Sequence, residues 1–370
     1  MKSSIFPAWL AGLFALAFAF SGCASADEAN APARIIAIGD LHGDYEAFEA
    51  LLNEAGLTDK RGRWTGGEAI LVQTGDVPDR GPDSLKIIER LQDLQKKAPR
   101  KGGQVVTLVG NHEAMNVTGD LRYVHPGEYK AFANRNPRQR REATYEANRD
   151  AIESFYLEQD STLSSNDIKE KWFEATPAGK LEHQRAWRPD GDIGEWIVGN
   201  PAVAIIGDSL FVHGGISQEY ASISVADMNA MTREALNSRA TEPGSILYDE
   251  KGPLWYRGNV GMDPDDTAAM ETGAEAPDTE TTINAGLSQA DEIDLVLETF
   301  SVARIVIGHT PSLGGIRVTH GGKVIQIDTG ISGYYGGTQS FLEIAGGALI
   351  AHDNGVATPI NTEGMETETP

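Results

Sequence analysis

Apolar, β-branched runs that stop at glycine-flanked polar residues constrain this chain more than any other feature. Arg34 to Ile38 runs into GDLHG (Gly39 to Gly43), Glu68 to Gln73 into GDVPDRG (Gly75 to Gly81), and Gln104 to Val109 into GNHE (Gly110 to Glu113). Leu210 to Val212 precedes HGG (His213 to Gly215), and Arg304 to Ile307 precedes GHT (Gly308 to Thr310). Runs of this kind read as buried strands, and the carboxyl ends of parallel strands are where an α/β sheet presents its chemistry. The chain holds eight histidines, and His42, His112, His213 and His309 all fall inside these motifs. Histidines placed only to fill a core would not sort that way.

Helical spacing occupies the gaps. Tyr45, Phe48, Leu51 and Leu52 form one apolar stripe between Asp44 and Ala55, and Leu85, Ile88, Leu91 and Leu94 form a second. Pro82 opens that second helix, where its missing N–H costs nothing. The pattern predicts βαβαβ with one polar loop per strand end. From about Ala114 to Trp196 the chain is charged, helix-prone and poor in β-branched runs. This stretch is predicted as a mostly helical cap inserted over the loop-bearing edge. Arg135, Arg138, Arg140 and Arg141 cluster in it, and the nearby Glu142 and Glu146 mark them as a solvated face rather than a docking patch.

Further strands are predicted at Ala202 to Ile206, Val324 to Ile327, Phe341 to Ile344 and Ala348 to Ala351. Ser288 with Asp291 opens a last helix in capping-box fashion, with Ile293, Val296, Leu297 and Phe300 facing inward. Met262 to Thr282 reads as a surface loop. Its Asp263, Asp265 and Asp266 lack the glycine and terminal glutamate of an EF-hand. The main domain is expected over residues 34–357, followed by a disordered tail at 358–370.

The formal charge of −23 excludes a nucleic-acid binder, which needs a basic face to displace counterions. At the N-terminus, Lys2 followed by the apolar run Ile5 to Phe20 reads as an export signal, too short to span a membrane. Two cleavage patterns compete after it. Phe20-Ser21-Gly22-Cys23 resembles a lipobox, whereas Ala24-Ser25-Ala26 is an A-x-A site that would discard Cys23. As the only cysteine, Cys23 favours the lipid reading, with attachment to a bacterial membrane through that residue. Either way the mature protein is expected to be periplasmic, on the outer surface of a membrane, or secreted. Residues 24–33 read as a linker.

The motif residues match what hydrolysis of a phosphate monoester requires. Two metal ions a few ångströms apart acidify a bridging water and clamp an in-line displacement. Asp40 and His42 are expected to bind one ion, with Asp76 bridging and Asn111, His213 and His309 completing the second. A nitrogen and oxygen donor set without thiolate suits Mn, Fe or Zn. Arg80 is placed to grip phosphate oxygens, and Arg257 in LWYRG (Leu254 to Gly258) is the candidate for a second clamp. His112 is left as general acid, oriented and raised in pKa by Asp79. Tyr334 and Tyr335 are expected at the mouth, and Asp328 behind a ligand histidine.

The ordered series of motifs resembles the phosphoprotein phosphatase family, calcineurin-like metallophosphoesterases, over about Arg34 to Asp353. The resemblance implies a β-sandwich flanked by helices, with two metals at the strand ends. It implies the same division of residues: Asp40, His42 and Asp76 on one metal, Asp76, Asn111, His213 and His309 on the other. His112 with Asp79 is then the acid pair, and Arg80 with Arg257 the clamp. The SAPNYC stretch of the eukaryotic Ser/Thr enzymes is absent, with IDTGISGYYGG (Ile327 to Gly337) in its place. That replacement, LWYRG and the insertion resemble the Shewanella-like branch, whose members can favour phosphotyrosine.

The expected partner is therefore a phosphorylated protein, phosphotyrosine included, or a small phosphoester. A dinucleoside tetraphosphatase is the competing enzyme, since it shares GDxHG and Arg80-Gly81-Pro82. Such enzymes typically lack an acidic residue before the arginine, where this chain has Asp79. A non-catalytic binding scaffold is the other alternative, and it predicts lost ligands where all are intact.

Overall fold

The computed structural model describes residues 34–133, 136–260 and 287–361. Its first half follows the predicted βαβαβ order. Strands β1 (Arg34–Ile38), β2 (Ile70–Gln73) and β3 (Gln104–Thr107) are parallel, with Ile36 opposite Leu71 and Leu71 opposite Val105. Helices α1 (Tyr45–Glu54) and α2 (Ser84–Lys97) make the crossovers. Asp44 caps α1 by accepting from Ala47 N at 3.0 Å, as a short polar side chain at that position should.

A second sheet carries the later motifs. It comprises β4 (Val203–Ile206), β5 (Ser209–Val212), β6 (Arg304–Ile307), β7 (Arg317–Thr319) and β8 (Val324–Gln326), in the order β4-β5-β6-β8-β7. The first sheet is completed by β9 (Ser340–Ala345), β10 (Ala348–Asp353) and β11 (Val356–Pro359), in the order β11-β10-β9-β1-β2-β3. Strand alternation sorts the core into layers. Ile35, Ala37, Val72, Phe211, Val306 and Ile325 meet between the sheets. Their neighbours Ile36, Ile38, Leu71, Leu210, Ile305 and Ile307 face outward into a larger core shared with the helices. The architecture is thus the expected α/β sandwich flanked by helices.

Several expectations need correction. Pro82 precedes α2 rather than opening it, and the buried Glu128 carboxylate accepts from Ser84 N at 2.6 Å at the helix start. The insertion begins later than Ala114, because α3 (Asn111–Thr118) buries Ala114 and Val117 in the main core. It consists of α4 (Pro126–Phe132), α5 (Pro137–Ala147), α6 (Arg149–Gln159), α7 (Ser165–Ala175), α8 (Lys180–Trp187) and α9 (Asp192–Gly199). Trp187, Ile193 and Ile197 join the main core, so its last helices are part of the domain rather than a detached lid. Then come α10 (Gln218–Ala221), α11 (Val225–Ser238) and α12 (Gln289–Phe300), the last capped by Ser288 as predicted.

Strands β7 and β11 were not foreseen, and β11 carries the domain past residue 357 to Pro359. The export signal, Cys23, the 24–33 linker, Arg135, the Met262 to Thr282 loop and residues 362–370 lie outside the described residues. Of the arginine cluster, Arg140 pairs with Glu182 at 2.7 Å and Arg141 donates to Phe173 O, which agrees with a surface role. No helix among the described residues is long and apolar enough to cross a membrane.

Candidate active site

The motif loops converge at the carboxyl ends of β1, β2, β3, β5 and β6. Convergence demands unusual backbone, and His42, Asp76, Asp79, Arg80 and His309 all have positive φ, between 42° and 73°. Non-glycine residues rarely hold that conformation, and where it persists the surrounding structure must over-determine it. Glycines make room between the loops. A Cβ on Gly75 would lie 2.6 Å from Gly110 N, and one on Gly214 would lie 2.8 Å from Tyr256 N. The HGG turn can therefore nest against the segment that carries Arg257.

Asp76 sits at the centre, 2 % exposed. Its Oδ2 is 3.8 Å from both His42 Nε2 and His112 Nε2, and its Oδ1 is 3.3 Å from His213 Nε2. One carboxylate thus faces two clusters, His42–Asp76–His112 and Asp76–His213–His309. The outer ring nitrogens of His42 and His213 are tied to backbone carbonyls. His42 Nδ1 donates to Pro78 O at 3.0 Å and His213 Nδ1 to Thr74 O at 2.9 Å. Each neutral ring consequently turns an Nε2 lone pair inward. Asp328 does not play the supporting role expected of it. Its carboxylate accepts from Gly330 N at 3.0 Å and from no histidine among the described residues.

The donor set fits metal ions. Asn111 Oδ1 lies 2.8 Å from His213 Nε2 and faces acceptors, Asp76 and His309 Nδ1 among them. Turning the amide over would satisfy it with N–H donation, and a cation among these acceptors satisfies it equally. Buried charge favours the cation. Burial, then Asp328, then Asp76 hold the Asp40 carboxyl well above its ordinary range. Asp40, Asp76, Glu113 and Asp328 are all 3 % exposed or less. Uncompensated carboxylates packed so closely are costly without a positive ion. Asp40 itself accepts from His309 N at 3.1 Å, which joins the first motif to the last.

His112 and Asp79 form the expected pair, Nδ1 to Oδ2 at 2.5 Å. Burial alone would lower the imidazole pKa, but the Asp76 charge and the Asp79 hydrogen bond outweigh it and raise the value. His42 shows the opposite balance: burial, then the neighbouring His112, lowers it to about 4. Arg80 and Arg257 make no ion pair among the described residues. Arg80 lies over the Tyr123 ring at 3.9 Å and donates to the Tyr334 hydroxyl at 3.3 Å. Arg257 donates to His309 O at 3.1 Å and Thr310 Oγ1 at 2.7 Å, both neutral. Both guanidinium charges are therefore left for an anion. Half-exposed Tyr334 lines the mouth as expected, whereas Tyr335 packs inside against His42, centroids 5.3 Å apart.

Three supporting residues were missed. Glu113 accepts from Gly110 N, Asp76 N and Val77 N at 2.7–2.9 Å, which fixes the bridging loop. Burial, then Asp76, pushes its carboxyl to about 7. Asn116 donates to Asp79 Oδ1 at 3.0 Å and to His112 O at 2.9 Å. Tyr123 stacks near His112, centroids 5.2 Å apart. The first two were readable in principle, Glu113 as the unused member of GNHE and Asn116 as one helical turn beyond His112. Tyr123 carries no local signal. His125, His183, His320 and His352 lie outside every motif and stand in neither metal-type cluster.

The calcineurin-like phosphoesterase family model matches residues 33–313. Shewanella-like protein phosphatase 2 of Arabidopsis thaliana is 34% identical over 321 residues, 85% of this chain and 75% of that protein. The crystal structure of a cold-active protein-tyrosine phosphatase from a psychrophilic Shewanella species superposes with a TM-score of 0.62 at 27% identity, covering 89% of this chain and 80% of that one. A symmetrical bis(5'-nucleosyl)-tetraphosphatase of Buchnera aphidicola is 36% identical, but over 90 residues, 24% of this chain and 26% of that protein. The chain belongs to the calcineurin-like phosphoesterase family.

Proposed function

We infer that this phosphatase is a two-metal phosphomonoesterase acting on phosphoproteins, phosphotyrosine included, or on small phosphoesters. One observation carries the reading: two guanidinium groups without ion pairs among the described residues, Arg80 and Arg257, stand beside a shared carboxylate and a His112–Asp79 pair. Asp40, His42 and Asp76 would hold one ion, and Asp76, Asn111, His213 and His309 the other. Bound there, the ions would supply charge neutralisation and a water of lowered pKa.

The chain's own residues account for the rest. Arg80 and Arg257 would grip the phosphate oxygens with charge-assisted hydrogen bonds. His112 would give its Nε2 proton to the leaving oxygen as the P–O bond breaks, while Asp79 stabilises the imidazolium from the Nδ1 side. Glu113 and Asn116 hold these groups in register. Asp79, engaged with His112, also speaks against the tetraphosphatase alternative, as does the short extent of that similarity.

The N-terminal sequence supports an exported enzyme, anchored through a lipid on Cys23 and outside the reach of nucleic acid, which the charge of −23 would repel. Intact mass of the mature protein tests the anchor, and an unmodified residue 23 sinks it. For the activity, rates on p-nitrophenyl phosphate, phosphopeptides and diadenosine tetraphosphate decide. A clear preference for the last overturns the proposal. Asp76→Asn and His112→Asn should each lower turnover by more than about a hundredfold.

A further inference from the structure

A cavity of about 190 Å3 opens beside the site. Its walls include Tyr123, Tyr248 and Trp255, and Tyr123 and Trp255 touch the catalytic residues. Tyr123 lies against His112 and Arg80, and Trp255 packs edge-on against His309, centroids 5.7 Å apart. The polar tips of the other rings are spent on the protein. Trp255 Nε1 donates to Leu247 O at 2.7 Å, and the Tyr248 hydroxyl pairs with Thr118 Oγ1 at 2.5 Å. Tyr248 and Trp255 stack on each other, so what the cavity presents is aromatic surface.

The rim is charged. Arg122 grips Asp120 through contacts of 2.6–3.0 Å, and these two charges offset each other. Glu250, the other carboxylate, is exposed and makes no ion pair among the described residues. The neighbouring Lys251 is committed to Glu219 at 2.5 Å. Aromatic faces beside an uncompensated carboxylate select a cation on an apolar stem. The volume falls below the roughly 300–1,000 Å3 of small-molecule sites and suits a single side chain.

We propose that this cavity receives a lysine or arginine side chain flanking the phosphorylated residue of a protein substrate, a proposal that rests on the phosphatase reading above. The alkyl stem lies along Tyr248 and Trp255, and the charged head reaches Glu250. A glutamate at the same position of the substrate meets Glu250 and is rejected.

The test is a set of phosphopeptides, identical except for lysine, arginine, phenylalanine, alanine or glutamate at each position flanking the phosphoresidue. The metal-loaded full chain and its Glu250→Gln variant are compared by kcat/KM. At one flanking position a basic residue should raise the wild-type value about tenfold over alanine, which is about 1.4 kcal/mol. Glu250→Gln should cut that advantage below about threefold (about 0.6 kcal/mol) and leave turnover of p-nitrophenyl phosphate, which has no flank, unchanged. Brisk turnover with no basic preference overturns the cavity assignment alone, as does a preference that survives Glu250→Gln or one for phenylalanine. A wild type inert toward p-nitrophenyl phosphate and every peptide overturns the phosphatase reading and this proposal with it.

Discussion

Replacing Asp79 by asparagine tests the acid pair most directly. Asp79 receives a donor on each oxygen, His112 Nδ1–H on Oδ2 and Asn116 Nδ2 on Oδ1. An asparagine there keeps its carbonyl oxygen on the Asn116 side, because Asn116 Nδ2 can only donate. Its NH2 then faces His112 and demands a lone pair on Nδ1. The ring is left neutral, with its one proton on Nε2, and donating that proton would create an imidazolate. Acid catalysis is lost while shape and ligands remain. General acids contribute about 10²–10⁴-fold, or roughly 2.7–5.4 kcal/mol at 1.36 per decade. Asp79→Asn should lower kcat on an alkyl phosphomonoester by that factor and cost p-nitrophenyl phosphate far less, since its leaving group needs little protonation. Asn116→Ala keeps the carboxylate but frees it, and should cost about tenfold. Steady-state kinetics on both substrates give the answer. An Asp79→Asn loss below about tenfold on the alkyl substrate, or an equal loss on both, refutes this account of His112.

Arg257→Ala removes a charge-assisted contact worth about 1.5–3 kcal/mol, so kcat/KM should fall roughly ten- to hundredfold and inorganic phosphate should inhibit more weakly. Unchanged phosphate inhibition would show that Arg257 is not a clamp. Glu128 is buried, and desolvation pushes its carboxyl to about 8 from an ordinary 4.5. Between those values the folded state binds more protons than the unfolded one, so the contribution is full below about pH 4.5 and is lost as pH rises through 8. The gap caps that loss at roughly 5 kcal/mol. Glu128→Gln keeps the acceptor for Ser84 N without the titration, so its melting temperature should gain on the wild type from pH 5 to pH 8; parallel curves exclude the effect. Stripping metal with a chelator should abolish turnover and lower the melting temperature, and manganese at a hundred times its Kd should restore about 2.7 kcal/mol. A melting temperature indifferent to both would mean that no ion relieves Asp40 and Asp76.

The candidate ligands, the acid pair and both arginines were legible in the sequence because their chemistry is written locally. A β-branched run specifies a strand, the glycine after it specifies a turn, and the polar residue beyond must then stand at the strand's end. Spacing could say that Asp40, Asp76 and Asn111 share an edge of one sheet. Tertiary structure alone decided how the edges meet: His309 N on Asp40, Glu113 across the bridging loop, Asn116 behind Asp79, and Tyr123 under Arg80. Each of these joins residues whose separation in the chain carries no periodic signal.

The limits of the insertion were illegible for a related reason. Ile193 and Ile197 stand at helical spacing like any amphipathic stripe, and local pattern does not say which core a stripe joins. Strands β7 and β11 escaped because β7 is only three residues long and half-buried while β11 is exposed, so neither shows the alternation of a strand that buries one face. The sequence by itself determined which candidate groups stand at the strand ends, since residue type and turn geometry are local properties. The fold decided which of them face a common carboxylate, which make no ion pair among the described residues and what surrounds them, because those depend on distances set by packing two sheets face to face.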